Sequence, residues 1–282
     1  MKLASYLADG RPAFGRVEDD GAVTLSDRIE GRNISLREAL SEEELLDELL
    51  RLAEGAETDL SLDGLKFLPV IADPGKILCV GINYRSHAAE HGGAVAEKPN
   101  IFTKFTDCLL GHEGEMWRPK ASTQFDFEGE LVVVIGKGGR AIPAKDALSY
   151  VAGYTCFCDG SVRDFIKTSL VTGKNFPASS PLGPWMVTAD EIPDPSKLTL
   201  TTRLNGQQMQ HSGVDMLMHD VPALIAYCST FTPLSPGDII ATGTPEGIGA
   251  KRNPPVWMKK GDVLEVEISG IGTLRNRIVD EP

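Results

Sequence analysis

Three carboxylates stand where two apolar segments of the chain begin or end, and acids in such places can bind a cation. Glu128 and Glu130 precede the apolar run Leu131 to Ile135, and Asp159 follows the apolar segment YVAGYTCFC. On a strand, Glu128 and Glu130 would project from the same face, about 7 Å apart. Carboxylates that close must share a proton or a cation. Oxygen ligands without a nearby cysteine or histidine favour Mg²⁺ or Mn²⁺, with Ca²⁺ as a further candidate, over zinc.

The same spacing has a second interpretation. Glu128 and Glu130 would then line an exposed strand end, and Asp159 would cap the turn before Gly160. The residue pattern alone leaves both interpretations open, because short acidic motifs are common at strand ends.

A candidate pair for proton transfer lies in the segment 83-NYRSHAAEHGG-93. On a helix, His87 and Glu90 share one face. A carboxylate beside an imidazole fixes its tautomer and raises its basicity, which suits a base that deprotonates water. The alternative is that His87 and Glu90 form an ordinary hydrogen-bonded pair on the surface of a helix, without a catalytic role. His91 lies off that face and is expected to have no catalytic role, and the two glycines that follow it indicate a mobile lid.

Two positive side chains and a glycine-containing loop are candidates for binding an anion. Lys174 lies in VTGKNFP, a segment without another charge, and is predicted to face inward; the alternative is a solvent-facing lysine. Arg163 either binds a substrate carboxylate through two hydrogen bonds or pairs with Asp164. The loop TGTPEGIG, residues 242–249, can present backbone N–H groups and threonine hydroxyls to an anion. It is not a phosphate loop, because the G-K-[ST] ending is absent.

Composition excludes several classes of protein. The chain has 282 residues, of which 41% are apolar and 24% charged, as in globular proteins with a sizeable core. No apolar run approaches the roughly 20 residues that span a bilayer. The N-terminal residues lack the pattern of a signal peptide, so a cytoplasmic protein is expected. A net charge of −12 disfavours nucleic acid and anionic membranes as partners. The five scattered cysteines are predicted to be buried, reduced thiols.

The first part of the chain reads as a small N-terminal subdomain over residues 1–70. Residues 2–26 predict a β-meander with turns at the first Asp-Gly pair and at Asp20-Gly21. A helix is then predicted from Ser35, which forms a capping box with Glu38, to Gly55.

From Pro74 onward, short apolar runs alternate with glycine and proline turns, which predicts a mainly β catalytic domain over residues 71–282. The chain as a whole is therefore assigned to the α+β class. Asn205-Gly206 predicts a hairpin turn. Few helices are expected in this part, at residues 86–91, 144–148 and 214–228, the last capped by Asp215 or a neighbour.

The order of these segments resembles the fumarylacetoacetate hydrolase family over about residues 74–278. The matching segments are GINYRSHAAE, FTK, FEGELVVVIG, AGYTCFCDGSVRD, GKNF, PLGPW, LNGQQMQ, LSPGDIIATGTPEGIG and KKGDVLEVEISGIGTLRN. The resemblance implies a mixed β-roll or sandwich of the family's C-terminal type, usually in a homodimer. It also implies a divalent metal, commonly Mg²⁺ or Mn²⁺.

Carried over residue by residue, the resemblance implies three groups of site residues. The metal ligands would be Glu128, Glu130 and Asp159. The catalytic groups would be His87 and Glu90, which activate a water, and Lys174, which lies beside the reacting oxygens. The substrate contacts would be Arg163 and Thr244.

The implied activity is hydrolysis of a carbon–carbon bond in a 1,3-diketo acid, such as an acylpyruvate, fumarylpyruvate or 2,4-diketo-3-deoxy acid. Such reactions belong to the catabolism of aromatic compounds or sugar acids. A metal would stabilise the enolate that leaves, and the His87–Glu90 pair favours hydrolysis. Without an attacking water, the same groups would serve decarboxylation or isomerisation of an oxaloacetate-like or 2-hydroxyhepta-2,4-dienedioate-like acid. A non-catalytic ligand-binding member is the remaining alternative.

Three segments depart from the family pattern. Pro177-Ala178 stands where many members carry Asp-Thr, Gly160 stands where a bulkier apolar residue is frequent, and Ile166 replaces a residue that is often polar. All three lie around the expected substrate end, so they bear on substrate identity more than on metal binding.

Overall fold

The structure is a computed structural model that describes residues 1–19, 21–42, 44–90, 92–93 and 97–282. The strands are β1 (Lys2–Ala8), β2 (Arg11–Val17), β3 (Gly21–Thr24), β4 (Leu60–Ser61), β5 (Ile77–Gly81), β6 (Asn100–Thr103), β7 (Leu109–Leu110), β8 (Glu115–Arg118), β9 (Phe125–Asp126), β10 (Gly129–Ile135), β11 (Val151–Cys158), β12 (Ser161–Val162), β13 (Ser180–Thr188), β14 (Thr199–Leu204), β15 (Gln207–Gly213), β16 (Ile239–Ala241), β17 (Val263–Ile268) and β18 (Gly272–Asp280). The α-helices are α1 (Leu36–Ser41), α2 (Leu45–Leu52), α3 (Arg85–Glu90), α4 (Arg163–Ile166), α5 (Leu170–Lys174) and α6 (Val221–Phe231).

The strands of the described residues form two sheets and a short ribbon. The larger sheet has the order β4-β3-β2-β1-β13-β11-β10-β16-β5-β6, with β7 beside β13. The smaller sheet has the order β15-β14-β17-β18-β8, and β12 pairs with β9. Most pairs are antiparallel, whereas β16–β5, β13–β7 and β18–β8 are parallel. The prediction of a mixed, mainly β fold is confirmed.

Strand β10 lies at the centre of the molecule, because both of its faces are buried. Leu131, Val133 and Ile135 belong to the core that faces the smaller sheet, and Val132 and Val134 belong to the core on the opposite face. All five side chains are fully buried, as the uninterrupted apolar run predicts. The acids that precede this run are thereby carried into the interior.

The predicted N-terminal meander is confirmed, and it continues the larger sheet. Strand β1 pairs antiparallel with β2 on one side and with β13 on the other. Leu3 and Phe14 share a core with Val132 and Val134 of β10. The predicted boundary near residue 70 stays a prediction, although the sheet crosses it. Asp20, part of the predicted second turn, lies outside the described residues.

The single helix predicted from Ser35 to Gly55 is wrong, because two helices occupy this segment. The predicted capping box is present at the start of α1, between Ser35 and Glu38. The helix ends at Glu42, which is extended and whose two carboxylate oxygens accept hydrogen bonds from Arg32. Glu44 is left-handed, with φ of 58°, a conformation that a non-glycine residue does not adopt within a helix.

The helix predicted from Val214 is also wrong in its start. A 3₁₀ turn covers Val214–Met216, and the α-helix begins only at Val221. Its N-cap is Asp220 rather than Asp215. Pro222 explains this start, because proline lacks an N–H and is favoured in the first turn of a helix.

The remaining local predictions fall on described residues with one exception. The hairpin at Asn205-Gly206 is confirmed between β14 and β15, with φ of 54° and 78°. The helix predicted over 144–148 is a 3₁₀ helix, Ala144–Tyr150, and the one over 86–91 is α3; His91 is not described. All five cysteines are buried and free, as predicted. In the described part of the chain, no helix has the length and apolarity that crossing a membrane requires.

Candidate active site

Antiparallel pairing of β10 with β11 brings the three predicted acids together. Gly129 lies opposite Cys158, and the N–H of Asp159 donates to the carbonyl of Glu128 at 2.8 Å. One carboxylate oxygen from each of Glu128, Glu130 and Asp159 lies within 4.8 Å of the others. The three side chains are buried, so the interpretation as an exposed strand end does not hold.

Lys174 and Arg163 neutralise part of the charge of this cluster. Lys174 Nζ donates to Glu128 Oε2 and to Asp159 Oδ2, each at 2.7 Å, and Arg163 Nη2 donates to Glu128 Oε1 at 2.6 Å. Burial alone would raise the pKa of Glu128, but Lys174 and Arg163 outweigh it and hold that pKa well below its ordinary value. Burial would lower the pKa of Lys174, but Asp159 and Glu128 raise it. Lys174 therefore faces inward as an ammonium group.

Glu130 differs from the other two acids in its partners. The N–H of Gly243 donates to its Oε2 at 2.9 Å, and within the described residues no lysine or arginine forms an ion pair with it. Burial, together with the nearby charges of Asp159 and Glu128, raises its pKa well above the ordinary value. A buried carboxylate in such surroundings takes up a proton or a cation. Three convergent carboxylates, one of them without an ion pair, fit a hard divalent ion.

The predicted proton-transfer pair is formed on α3. His87 Nδ1 lies 2.9 Å from Glu90 Oε2, and the second oxygen of Glu90 accepts the N–H of Gly247 at 3.1 Å. His87 is only 4% exposed and lines the same cavity as Glu128 and Glu130. The predicted lid stays a prediction, since residues 91 and 94–96 are outside the described residues.

The loop of residues 242–249 presents backbone N–H groups to anions, and these anions include carboxylates of the protein itself. Gly243 donates to Glu130, and Gly247 donates to Glu90. The loop thus orients one acid from the cluster and the acid of the proton-transfer pair. It is the element that connects the two halves of the site.

Asn83 fixes the backbone next to this loop. Its side-chain amide donates to the carbonyls of Thr242 and His219, and its Oδ1 accepts the N–H of His219. The preceding residue, Ile82, has φ of 55°, which is strained for a β-branched side chain. Gly243 also has positive φ, 101°, and an added Cβ would lie 2.8 Å from Asn83 Cβ. Asn83 itself follows Ile82, and its bond to Thr242 ends directly before Gly243, so it connects the two strained positions.

Thr244, a predicted substrate contact, lines the cavity but already has partners in the protein. Its hydroxyl donates to the carbonyl of Gly129 and accepts from Gln210 Nε2, at 2.9 and 2.8 Å. These bonds tie the loop to the start of β10. A role in substrate contact stays a prediction.

A cavity of about 300 Å³ joins these groups. Its polar wall includes His87, Glu128, Glu130, Arg163, Lys174 and Thr244. Its apolar wall includes Val80, Ile82, Phe102, Ile166 and Leu170. A depression of about 650 Å³ near Met1 is larger, but it does not contain the converging acids, so volume alone does not identify the site.

Arg163 pairs with two acids of which one, Asp126, was not a sequence candidate. Arg163 Nε donates to Asp126 at 2.7 Å, while the neighbouring Asp164 accepts from Ser122 instead. Asp126 also accepts the N–H groups of Gly249 and Ala250. The alternation in DFEGE could have indicated it, since Asp126 has the same parity as Glu128 and Glu130.

Lys104 is the second residue that sequence reasoning missed. Its side chain is fully buried, and Nζ donates to Asp159 Oδ1 at 2.7 Å. It also donates to the carbonyls of Gly160, at 3.4 Å, and of Lys174. The available signal was a lysine in the mostly apolar segment IFTKF.

Comparison with known proteins decides the family. A family model described as fumarylacetoacetate (FAA) hydrolase C-terminal matches residues 76–279. The chain belongs to the fumarylacetoacetate hydrolase family. The resemblance seen in the sequence is therefore confirmed.

Members of the fumarylacetoacetate hydrolase family that are similar to this chain have different reactions in their names. A mitochondrial oxaloacetate tautomerase of Bos taurus is 42% identical over 217 residues, which is 76% of this chain and 69% of that protein. A putative HpcE protein of Mycobacterium smegmatis has 35% identity and a TM-score of 0.85, and the match covers 100% of both chains. Maleylpyruvate hydrolase of Sphingobium sp. SYK-6, in complex with manganese(II) and pyruvate, has 27% identity and a TM-score of 0.85, again over 100% of both chains.

These family members establish a shared class of chemistry. The family's enzymes act on small keto acids, and one structural neighbour contains manganese. The acidic cluster of this chain can hold such an ion. The names of the relatives include both tautomerase and hydrolase, so membership alone does not choose the reaction.

Proposed function

We propose that this protein is a divalent-metal-dependent enzyme that moves a proton to and from the carbon next to the 2-oxo group of a small keto acid. Its first candidate reaction is keto–enol tautomerisation of an oxaloacetate-like acid. The observation that carries the proposal is the His87–Glu90 pair, at 2.9 Å, with His87 on the wall of the cavity that Glu128 and Glu130 also line. The name of the Bos taurus relative supports the choice of substrate.

The chain's own residues account for the proton transfer. The imidazole of His87, oriented by Glu90 at Nδ1, is the group that exchanges the proton. The imidazole takes a proton from the carbon, and the electron pair moves toward the 2-oxo oxygen. The imidazolium then gives a proton to that oxygen, directly or through a water, which forms the enol and restores the neutral ring. Glu90 stabilises the imidazolium that forms, and the ammonium group of Lys174 favours negative charge on nearby oxygens.

Glu128, Glu130 and Asp159 are the residues that would hold the ion. A Mg²⁺ or Mn²⁺ ion bound there supplies Lewis-acid stabilisation of developing negative charge, which carboxylates alone would oppose. Both ions prefer oxygen ligands.

Hydrolysis of a 1,3-diketo acid is the second candidate. The same His87–Glu90 pair would deprotonate a water that attacks the distal carbonyl, and the carbon–carbon bond would then break. The similarity to maleylpyruvate hydrolase, with pyruvate in its structure, supports this candidate. Decarboxylation of an oxaloacetate-like acid and a non-catalytic binding role are the remaining alternatives.

The test is a substrate panel with chelator-treated protein to which Mg²⁺ or Mn²⁺ is restored. A tautomerase accelerates the enol–keto exchange of oxaloacetate without changing the mass of the compound. Hydrolysis of a diketo acid yields two acids, and decarboxylation releases carbon dioxide. We expect metal-dependent tautomerisation that falls at least about 100-fold in His87→Asn. Metal-dependent hydrolysis without tautomerisation would replace the first candidate by the second. If the metal raises the melting temperature but no compound is turned over, the non-catalytic binding role is the alternative that remains.

Three broader expectations stay predictions. They are a homodimeric assembly, a cytoplasmic location, and the absence of nucleic acid and membranes among the partners. Sedimentation of the purified protein tests the first directly.

A further inference from the structure

Lys104 is a fully buried lysine whose three hydrogen bonds all go to groups of the candidate site. Its Nζ donates to Asp159 Oδ1 at 2.7 Å, to the carbonyl of Gly160 at 3.4 Å and to the carbonyl of Lys174. An ammonium group has three N–H donors, so the side chain is fully satisfied. A buried charge requires such pairing, because an unpaired one is very costly.

These bonds join three separate segments of the chain. Lys104 directly follows β6, Asp159 directly follows β11, and Lys174 is the last residue of α5. The carbonyl at the end of a helix lacks an intrahelical partner, and here Lys104 supplies one. Lys104 therefore fixes the backbone from which the Lys174 side chain extends.

The two oxygens of Asp159 are divided between the two lysines. Lys104 bonds Oδ1, and Lys174 bonds Oδ2 and also Glu128 Oε2, each at 2.7 Å. With Oδ1 bound to Lys104, Oδ2 of Asp159 accepts from the same Lys174 ammonium that bonds Glu128. One side chain thus orients a predicted metal ligand and a predicted catalytic ammonium at the same time.

We propose that Lys104 is a positioning residue of the active site, which holds Asp159 and Lys174 in the geometry that metal binding and turnover require. Lys104 acts through these two residues and does not itself contact the substrate. The proposal rests on the proposed function for its turnover readout, but its metal-binding readout is independent of any reaction.

The chain offers a matched control. Lys76 Nζ donates to Asp238 Oδ2 at 2.8 Å, and Asp238 is fully buried, but neither residue belongs to the acidic cluster. Replacing either lysine by methionine removes a positive charge and one ion pair to a buried aspartate, although Asp159 keeps Lys174 as a second partner. Both variants are therefore expected to lose folding stability, so an effect on Mn²⁺ affinity that only Lys104→Met shows is specific to the site.

The experiment compares Lys104→Met and Lys76→Met with the wild type in full-length protein. Mn²⁺ affinity is measured by the EPR signal of free Mn²⁺, turnover is measured on the substrate panel, and folding is checked by thermal melting. For Lys104→Met we expect Mn²⁺ affinity about tenfold weaker and turnover at least about tenfold lower, as for other partners that orient a metal ligand. For Lys76→Met we expect both to stay at the wild-type level, with a lower melting temperature.

The sign of the Mn²⁺ effect separates positioning from charge. Removing a positive charge beside Asp159 would by itself tighten Mn²⁺ binding, whereas loss of orientation weakens it. Tighter binding in Lys104→Met would show an effect of charge alone and would overturn the proposal. Equal behaviour of Lys104→Met and Lys76→Met would reduce Lys104 to a structural ion pair and would also overturn it.

Two further variants complete the test. At saturating Mn²⁺, where the weaker metal affinity no longer limits turnover, the double variant Lys104→Met/Lys174→Met should lose no more turnover than Lys174→Met alone, and independent losses that multiply would contradict the action of Lys104 through Lys174. If Lys104→Met does not fold, Lys104→Gln, which keeps an N–H donor, should show weaker Mn²⁺ affinity in the same direction; unchanged or tighter affinity would overturn the proposal. If no substrate is turned over, the proposed function fails and the Mn²⁺ results still decide the role of Lys104.

Discussion

Glu90 binds His87 Nδ1 with one carboxylate oxygen and the backbone N–H of Gly247 with the other, at 2.9 and 3.1 Å. The imidazole on α3 is therefore held in one tautomer by an acid that is itself oriented by the loop of residues 242–249. This arrangement predicts that the charge of Glu90, and not only its hydrogen bond, supports proton transfer.

Glu90→Gln should lower turnover about 100-fold, because a neutral amide does not stabilise the imidazolium. Mn²⁺ affinity should stay close to that of the wild type, since Glu90 is not in the acidic cluster. Steady-state kinetics and Mn²⁺ titration measure the two effects. Glu246→Gln, an exposed acid in the same loop, is the control and should keep full turnover. Equal rates for Glu90→Gln and the wild type would exclude a role of the carboxylate charge.

Binding of Mn²⁺ should become tighter as pH rises. Burial and the charges of Asp159 and Glu128 raise the pKa of Glu130 well above its ordinary value, so an ion that binds there displaces a proton. The raised pKa also means that Glu130 contributes stability to the metal-free protein below its unfolded pKa, and that this contribution is lost as pH rises through the folded pKa.

Calorimetric titration in two buffers of different ionisation enthalpy counts the protons released when Mn²⁺ binds. We expect proton release by the wild type, and less of it by Glu130→Gln, which has no proton of this kind to lose. The melting temperature of chelator-treated wild type should also decline with rising pH more than that of Glu130→Gln. Release of the same number of protons by both proteins would show that another group carries the effect.

Divalent metal should stabilise the folded protein. An ion that binds only the folded state adds about 2.7 kcal/mol to the free energy of unfolding when its free concentration is 100 times the dissociation constant. Thermal melting of chelator-treated protein with and without Mn²⁺ measures this. Asp159→Asn should lose most of the shift, whereas Asp164→Asn should keep it, because Asp164 bonds Ser122 outside the cluster. An equal shift in both variants would place the ion elsewhere.

Arg163 should be important for stability as well as for the site. Its guanidinium pairs with Asp126 and Glu128, which are both buried. Arg163→Met leaves both carboxylates without this partner and should lower the free energy of unfolding by roughly 3–5 kcal/mol. Urea denaturation measures it, with Arg203→Met as the control, since the partly exposed Arg203–Glu267 pair should contribute less than about 1 kcal/mol. Equal losses would contradict the assignment of Arg163 to a buried pair.

Much of the site could be predicted because its acids stand beside apolar runs. The five apolar residues before Gly136 predicted a fully buried strand, and a second apolar run ending in Asp159 suggested the partner strand. The capping box at Ser35 and the hairpin at Asn205-Gly206 were predictable for a related reason. Each depends on side chains a few residues apart, so a local pattern contains the information.

The parts that could not be predicted depend on contacts between distant segments. Lys104 and Asp159 are 55 residues apart, and only the fold shows that the lysine points inward. Helix α1 ends where Glu42 turns to Arg32, a partner outside the helical pattern. The periodicity of leucines between Ser35 and Gly55 has no information about this pairing, and it therefore predicted one helix instead of two.

Gly160, one of the departures from the family pattern, lies against Ser179, which directly follows a second departure, Pro177-Ala178. A Cβ added to Gly160 would lie 1.9 Å from the carbonyl oxygen of Ser179, which neither backbone can accommodate. We therefore expect a bulkier residue at position 160 to be tolerated only if the backbone around Ser179 is rebuilt with it. Mutant libraries aimed at new specificity should randomise both stretches in the same clone, since sampling them one at a time would discard combinations that fold only together.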